Sequence, residues 1–480
     1  MSTLKRFFQD TFIYGFATVL PRLMNFILVP LHTYALGPAG YSINTTFYVW
    51  AAFFNVILTY GMETAFFRFF STSKEKSKVF STAFITLAVT TIIFFVLVFI
   101  FREWFTYFIG LDPVYFNYLL GILALDTLVV VPFAYLRASN RPVKFAVFKI
   151  LNISVVVILN FYFLWFVTEF PSLTPEIVLA NYSNVDIVGY IFIANLVASG
   201  VTFLILLPYF FSTKIEYSKT LLKQMWAYGW PIMIAGLAFV INENLDKLLL
   251  KEMLSDEIMG AYAGCYKLAV FMMIYIQAFK MGAEPFFFNH AQNENARQTY
   301  ATILEYFVIA GSLILLILVG FLDFFKELII RDESYWFTIS IVPIVLLANL
   351  FLGIYHNLSV WYKLTDKTRI GMYISVFGAV VTIILNVLLI PVIGFMASAW
   401  ATLAAYGSMM VISYFLGRKY YPVPYDLKLI GLYLITAVIF SSISYIFFRG
   451  NYLVGTAFVL LFLLITLGTK RRELKQIFNL

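Results

Sequence analysis

Residues 79–101 read VFSTAFITLAVTTIIFFVLVFIF, twenty-three positions without a charge. At about 1.5 Å per residue, such a run as a helix crosses the roughly 30 Å hydrocarbon core of a bilayer. The same reading extends outward along the whole chain, giving further stretches at 11–31, 45–66, 113–136, 145–168, 187–211, 223–245, 258–280, 299–321, 335–356, 370–391, 394–416, 429–448 and 452–469. Composition agrees. Hydrophobic residues make up 62% of the 480 positions, charged residues 12%, and the mean hydropathy is +0.89, whereas a soluble domain is about 45–50% apolar and about 25% charged. These values exclude a disordered chain, a disulfide scaffold and a sizeable aqueous catalytic domain. The expected fold is an all-α polytopic membrane protein of about fourteen transmembrane helices. The lone cysteine, Cys265, can form neither an internal disulfide nor a zinc cluster.

The first stretch follows Lys5 and Arg6 as a secretory signal would, but it contains Pro21 and Arg22 and lacks a small-residue cleavage site, so it reads as an uncleaved first helix. The net charge of +8 would suit nucleic acid were it clustered. Instead it obeys the positive-inside rule. Of the 33 Lys and Arg residues, 24 fall on the N-terminus, the C-terminus and alternate loops, only 6 on the other loops, and Arg22, Lys149 and Lys267 lie within stretches. Both termini are therefore expected in the cytoplasm, with the longest external linker at 169–186.

Two halves are visible. YGFATVLPRLMNFILVPL at 14–31 meets YGWPIMIAGLAFVINENL at 228–245; Gly40-Tyr41 recurs as Gly260-Ala261-Tyr262; GMETAFF at 61–67 recurs as GAEPFFF at 282–288. The order and the spacing match, which points to a duplication of six helices. Six is even, so the copies share one orientation and are related by an axis along the membrane normal. The expected organisation is an N-terminal six-helix bundle (1–211), a cytoplasmic linker (212–222), a C-terminal six-helix bundle (223–416), and two appended helices with a basic tail (417–480).

The segments FIYGFATVLPRLMNFILVPLHTYALGPAGYS at 12–42 and YGMETAFFRFF at 60–70, with LDKLLLKEMLSDEIMGAYAGCYKLA at 245–269 and AFKMGAEPFFF at 278–288, resemble the bacterial polysaccharide-biosynthesis flippases of the MATE-like MOP superfamily. One departure is visible: where such proteins often carry Asp-Arg after the seventh helix, this chain has Asp246-Lys247, which offers no planar guanidinium. The resemblance implies two bundles around a central cavity, alternating access, and export of undecaprenyl-pyrophosphate-linked oligosaccharide across the inner membrane. It also implies the bilayer and a polysaccharide polymerase as partners, with no nucleic acid.

Charges inside the stretches mark the candidate site, because an ionised group at mid-bilayer costs about 2.5–3.5 kcal/mol even on insertion-based scales. Arg22 and Lys267 lie about ten residues into their stretches, and Lys149 lies shallower with Asn152 and Asn160 on its face; these three are the candidate substrate-binding cations. Asp126 is deep enough to be either a charge partner for Arg22 or an H+ or Na+ coupling site. Glu243, Asp246 and Lys247 form a candidate outer gate. Glu63 and Glu284 read as interfacial pairing groups. The stripe Ser375, Gly378, Thr382, Asn386 and the small residues Ser398, Thr402 and Ala405 read as helix-packing surfaces.

A membrane glycosyltransferase or polymerase is the rival class. It would need a catalytic surface in water, and the sequence has no Asp-x-Asp metal pair, no His cluster and no Gly-rich phosphate loop. Neither catalytic residues nor metal ligands nor a cofactor are expected. Within transporters, a lipid II flippase and a multidrug exporter stand as alternatives.

Overall fold

The computed structural model describes residues 20–21, 23–139, 141–182, 186–211, 214–291, 293–365 and 367–478. Arg22 lies outside the described residues, as does the side chain of Glu284. Among the described residues, twelve helices are long and apolar enough to cross a membrane. They correspond in order to the stretches from 79–101 to 452–469, and the chain is a multi-pass membrane protein. Packing divides it into two units, Met1–Gly260 and Ala261–Leu480.

In the first unit, α1 (Val29–Thr59) is bent at Gly37, whose φ of 58° and ψ of 170° are followed by Pro38. A straight helix of 31 residues would be about 46 Å long, more than one bilayer core. Gly37 takes the positive φ without a Cβ penalty, and Pro38 has no N–H to lose at the bend. Beyond the bend, α1 runs from Pro38 to its end at Tyr60 (φ 34°) and Gly61 (φ 75°), over the region of the stretch 45–66. There the chain turns into α2 (Met62–Thr72). It continues through α3 (Lys76–Ile100), the short α4 (Arg102–Ile109), α5 (Pro113–Ala138), α6 (Pro142–Phe161) and α7 (Ile187–Phe210). Asp112 starts α5 by accepting a 2.7 Å hydrogen bond from the Val114 N–H, with Pro113 at the first helical position. The unit's core includes Phe47 stacked on Phe192, with ring centroids 3.8 Å apart, beside the fully buried Phe116 and Leu119.

α8 (Lys219–Met253) packs on α1, α2 and α3. This packing places it in the first unit, whereas the sequence divides the chain at 212–222. The reason is a backbone contact that two glycines permit. A Cβ at Gly61 would stand 2.5 Å from the Gly229 carbonyl oxygen, and a Cβ at Gly229 would stand 2.9 Å from that of Tyr60. Gly282, the sequence counterpart of Gly61, is not a turn: it lies within α10 (Val270–His290), so the two halves diverge locally at this point. α8 is followed by α9 (Asp256–Tyr266), whose Gly260 approaches the Pro38 carbonyl where any Cβ would overlap it.

The second unit contains α11 (Ala296–Gly320), α12 (Leu322–Ile329), α13 (Val342–Leu358), α14 (Thr368–Ile393), α15 (Met396–Tyr420), α16 (Leu427–Phe447) and α17 (Tyr452–Phe478). α15 packs against α13 and α14. The small-residue stripes also hydrogen-bond across the α14–α15 pair, where Ser398 Oγ donates to Asn386 Oδ1 at 2.6 Å; within α14, Asn386 Nδ2 donates to the Thr382 carbonyl at 2.8 Å. The appended helices α16 and α17 pack on α11. Gly320 and Gly455 let α11 and α17 touch, since a Cβ on Gly455 would lie 2.9 Å from the Gly320 carbonyl oxygen.

Ion pairs fix both ends of this contact. Lys470 Nζ lies 2.7 Å from Glu305 Oε2, and Arg449 donates to both carboxylate oxygens of Asp323 at 3.0–3.3 Å. Lys326 adds a 3.0 Å contact to Asp323 while its ammonium stands 3.8 Å over the Trp336 ring. Burial alone would raise the Asp323 carboxyl, but hydrogen bonds and charge from Arg449 and Lys326 outweigh it and hold the group below the usual carboxylate range.

A polar band inside the first unit

Polar side chains gather on α1 and within the membrane-spanning parts of α5, α6 and α7. Asp126, on α5, interacts with Ser199 on α7 and lies in the field of Lys149 on α6. The Lys149 ammonium itself lies 4.3 Å from the centre of the Phe133 ring, a cation–π contact that offsets part of its desolvation. One turn on, Asn152 Nδ2 donates to Thr202 Oγ1 at 2.9 Å. Further along the same face, Asn160 Oδ1 meets His32 Nε2 at 2.8 Å, and Asn160 Nδ2 donates to the Val156 carbonyl. Asn195 Nδ2 contacts the Tyr48 hydroxyl at 2.5 Å, and that hydroxyl also faces the Asp126 charge. Nearby on α1, the buried Asn44 Oδ1 has no hydrogen-bond partner among the described residues.

The face of α6 carrying Lys149, Asn152 and Asn160 was legible in the sequence. The matching face of α7 was missed, although Asn195, Ser199 and Thr202 stand at spacings of four and three residues, which is one helical face. The hydrophobicity of the surrounding run, YIFIANLVASGVTFL, conceals it. Asp126 thus finds Ser199 and the field of Lys149 within its own unit; the expected pairing with Arg22 falls outside the described residues.

The remaining candidates sit elsewhere. Lys247 Nζ lies 2.9 Å from Asp246 Oδ1 and donates to the Glu243 carbonyl oxygen at 2.6 Å, with Asp246 and Lys247 both buried. The structure therefore brings the three proposed gate residues together at one end of α8. Lys267 begins a 3-10 turn, Lys267–Ala269, that interrupts the crossing between α9 and α10; such interruptions often mark hinges. The Ala269 carbonyl accepts a 3.3 Å hydrogen bond from Asn349 on α13. The neighbouring Gly264 serves packing, since a Cβ there would lie 2.5 Å from the Tyr335 ring. Glu63 pairs with Arg137 at 2.8 Å, with both side chains about half exposed. Among the described residues no group of His, Cys, Asp and Glu is arranged to hold a metal.

Comparison with known proteins places this architecture. A family model described as polysaccharide biosynthesis protein matches residues 7–289, and a MatE model matches 231–388. No match is found among curated proteins. Among solved structures, the lipid II flippase MurJ in an inward closed conformation superposes with a TM-score of 0.72 at 14% identity, over 96% of this chain and 100% of that one. An inward-facing multidrug resistance MATE transporter of the MOP superfamily gives 0.61 at 12% identity, over 83% and 94%. A MOP-superfamily transporter from Pyrococcus furiosus gives 0.57 at 15%, over 86% and 94%. At these identities the likeness is one of fold. The polysaccharide biosynthesis model, however, spans more than half of the sequence, and the chain accordingly belongs to that family, with the fold of the MATE-like MOP-superfamily transporters.

Proposed function

We propose that this protein is a secondary-type flippase that moves undecaprenyl-pyrophosphate-linked oligosaccharide across the bacterial inner membrane by alternating access, with both termini cytoplasmic. The observation that carries this reading is the presence, in a member of this family, of two amines within membrane-spanning segments, Lys149 in the first unit and Lys267 in the second. Cations at that depth are expensive, and an anionic pyrophosphate headgroup offsets their cost, whereas a cationic drug would meet repulsion. Asp126, beside Ser199 and within the field of Lys149, is the candidate for H+ or Na+ coupling. The absence of an ATP-binding motif from the sequence favours a gradient or the downstream polymerase machinery as the driving force.

Deleting the gene and identifying the lipid-linked glycan that builds up on the cytoplasmic face tests the proposal. Accumulated oligosaccharide-lipid supports it, and shortened chains would point to an enzyme. A second reading, flipping of the lipid-linked peptidoglycan precursor, is favoured by the end-to-end likeness to a lipid II flippase. Accumulation of that precursor instead of the oligosaccharide would select it.

A further inference from the structure

On the flank of the first unit, α3 and α5 diverge around a groove of about 740 Å³, within the roughly 300–1,000 Å³ range of ligand sites. Ala88 on α3 and Ala124 on α5 leave the space between the helices unfilled, and the walls are apolar: Ile92, Phe95, Phe99, Leu120 and Leu128. Phe99 is 77% exposed and Ile92 63%, so the groove opens sideways into the bilayer. Leu128 forms its floor and separates it from a second groove of about 300 Å³. Apart from Thr91, the polar residues of the lining stand at the opposite end, where Arg102 Nη2 lies 3.1 Å from Asn117 Oδ1.

From Asn117 to Leu128 is eleven residues of α5, about 16 Å, which is half of a roughly 30 Å bilayer core. The groove is therefore one leaflet deep. Arg102 is exposed and pairs with no carboxylate among the described residues. A guanidinium carries five N–H donors in a planar fork suited to phosphate, and Asn117 orients it through one of them.

We propose that this groove binds an anionic glycerophospholipid from the leaflet at the Arg102 end, with its phosphate on the Arg102 guanidinium and an acyl chain lying between α3 and α5 as far as Leu128. Apolar walls alone would accept any lipid chain; the single unpaired cation at the mouth selects the anionic headgroup. The one-leaflet depth favours an acyl chain over a longer polyisoprenoid. This inference does not rest on the flippase reading, because no transported substrate enters it.

The test is photocrosslinking of the full-length protein in vesicles of equal phosphatidylglycerol and phosphatidylcholine. p-Benzoylphenylalanine is introduced at Phe99 and, as a control outside the groove, at Phe447, and adducts are identified by mass spectrometry. At Phe99, phosphatidylglycerol should be enriched about fivefold over phosphatidylcholine, the effect of roughly 1 kcal/mol for one basic residue near a membrane surface. No enrichment is expected at Phe447. Arg102→Gln should abolish the enrichment while adducts still form, Arg102→Lys should keep most of it, and Leu120→Trp should suppress adducts at Phe99. A headgroup ratio at Phe99 equal to that of the bilayer, or an enrichment untouched by Arg102→Gln, overturns the proposal. So does an adduct yield unaffected by Leu120→Trp, or, in native membranes, an adduct carrying a polyprenyl chain in place of phospholipid.

Discussion

Lys470 and Glu305, 165 positions apart, form a buried ion pair at 2.7 Å that fastens the end of α17 to α11. Two desolvated charges are stable together and costly apart. Lys470→Met is expected to lower the stability of the detergent-solubilised protein by about 3–5 kcal/mol, and Lys470→Met with Glu305→Gln to recover most of that loss. Thermal unfolding of the three variants checks this; additive losses in the double variant would show that the pair is energetically idle.

At the other end of the same contact the expected response is to pH. Asp323 is held below its unfolded value, near 3.9, by Arg449 and Lys326 against a burial effect that opposes them. A depressed carboxylate contributes stability that is fully present above the unfolded value and is lost as pH falls through the folded one. Docking of α16 and α17 on α11 should therefore be constant from about pH 5 to 8 and weaken below about pH 4. Protease access to the loop around Arg449, measured across pH in wild type and Asp323→Asn, reports it: the variant should be the more accessible at neutral pH and should lack the acid transition.

The two glycines at matching sequence positions should respond oppositely to one methyl group. Gly61→Ala places a Cβ 2.5 Å from a backbone oxygen at a residue with φ 75°, so a loss of about 1–3 kcal/mol or more is expected. Gly282→Ala meets nothing within 4 Å and sits inside a helix, where Ala is the better former by about 1 kcal/mol. Comparable loss of folded protein for both would mean that the turn at Tyr60–Gly61 is not the feature that separates the halves.

Within the membrane, Lys149→Ala, Lys267→Ala and Arg22→Ala should each accumulate normally and fail to complement deletion of the gene, while Arg22→Lys should retain part of the activity. Asp126→Asn should also abolish complementation while leaving abundance intact. Immunoblotting beside complementation separates the cases. If Lys149→Ala lowers abundance and adding Asp126→Asn restores it, the lysine serves as a structural counter-charge and not as a substrate contact.

Orientation carries its own check. The partition of 24 basic residues against 6 predicts both termini in the cytoplasm and 169–186 outside. A reporter fused after Leu480 should be active only in the cytoplasm, and a cysteine introduced in 169–182 should react with an impermeant thiol reagent added to intact cells. External activity of the Leu480 fusion would overturn the fourteen-crossing count.

The sequence by itself determined what depends on local composition. Whether a segment spans is a sum over some twenty neighbouring side chains, so runs such as 79–101 and 370–391 appear as α3 and α14 within a few residues of where hydropathy puts them. The kink at Gly37-Pro38 was equally local, yet hydropathy averages over it, and the stretches 11–31 and 45–66 do not show it. The face of α6 was legible because Lys149 is charged; the face of α7 was not, because Asn195, Ser199 and Thr202 barely lower the mean of so apolar a run. Only the tertiary structure decided which partners these groups meet. That Asp126 takes Ser199, that Lys470 takes Glu305, and that α8 packs with the first unit all follow from which helices lie side by side. In a bilayer the hydrophobic effect draws helices in without choosing their neighbours. The choice falls to backbone contacts such as Gly61 on Gly229 and to polar groups that find no water, and these join residues too far apart in the chain for any window of sequence to hold both.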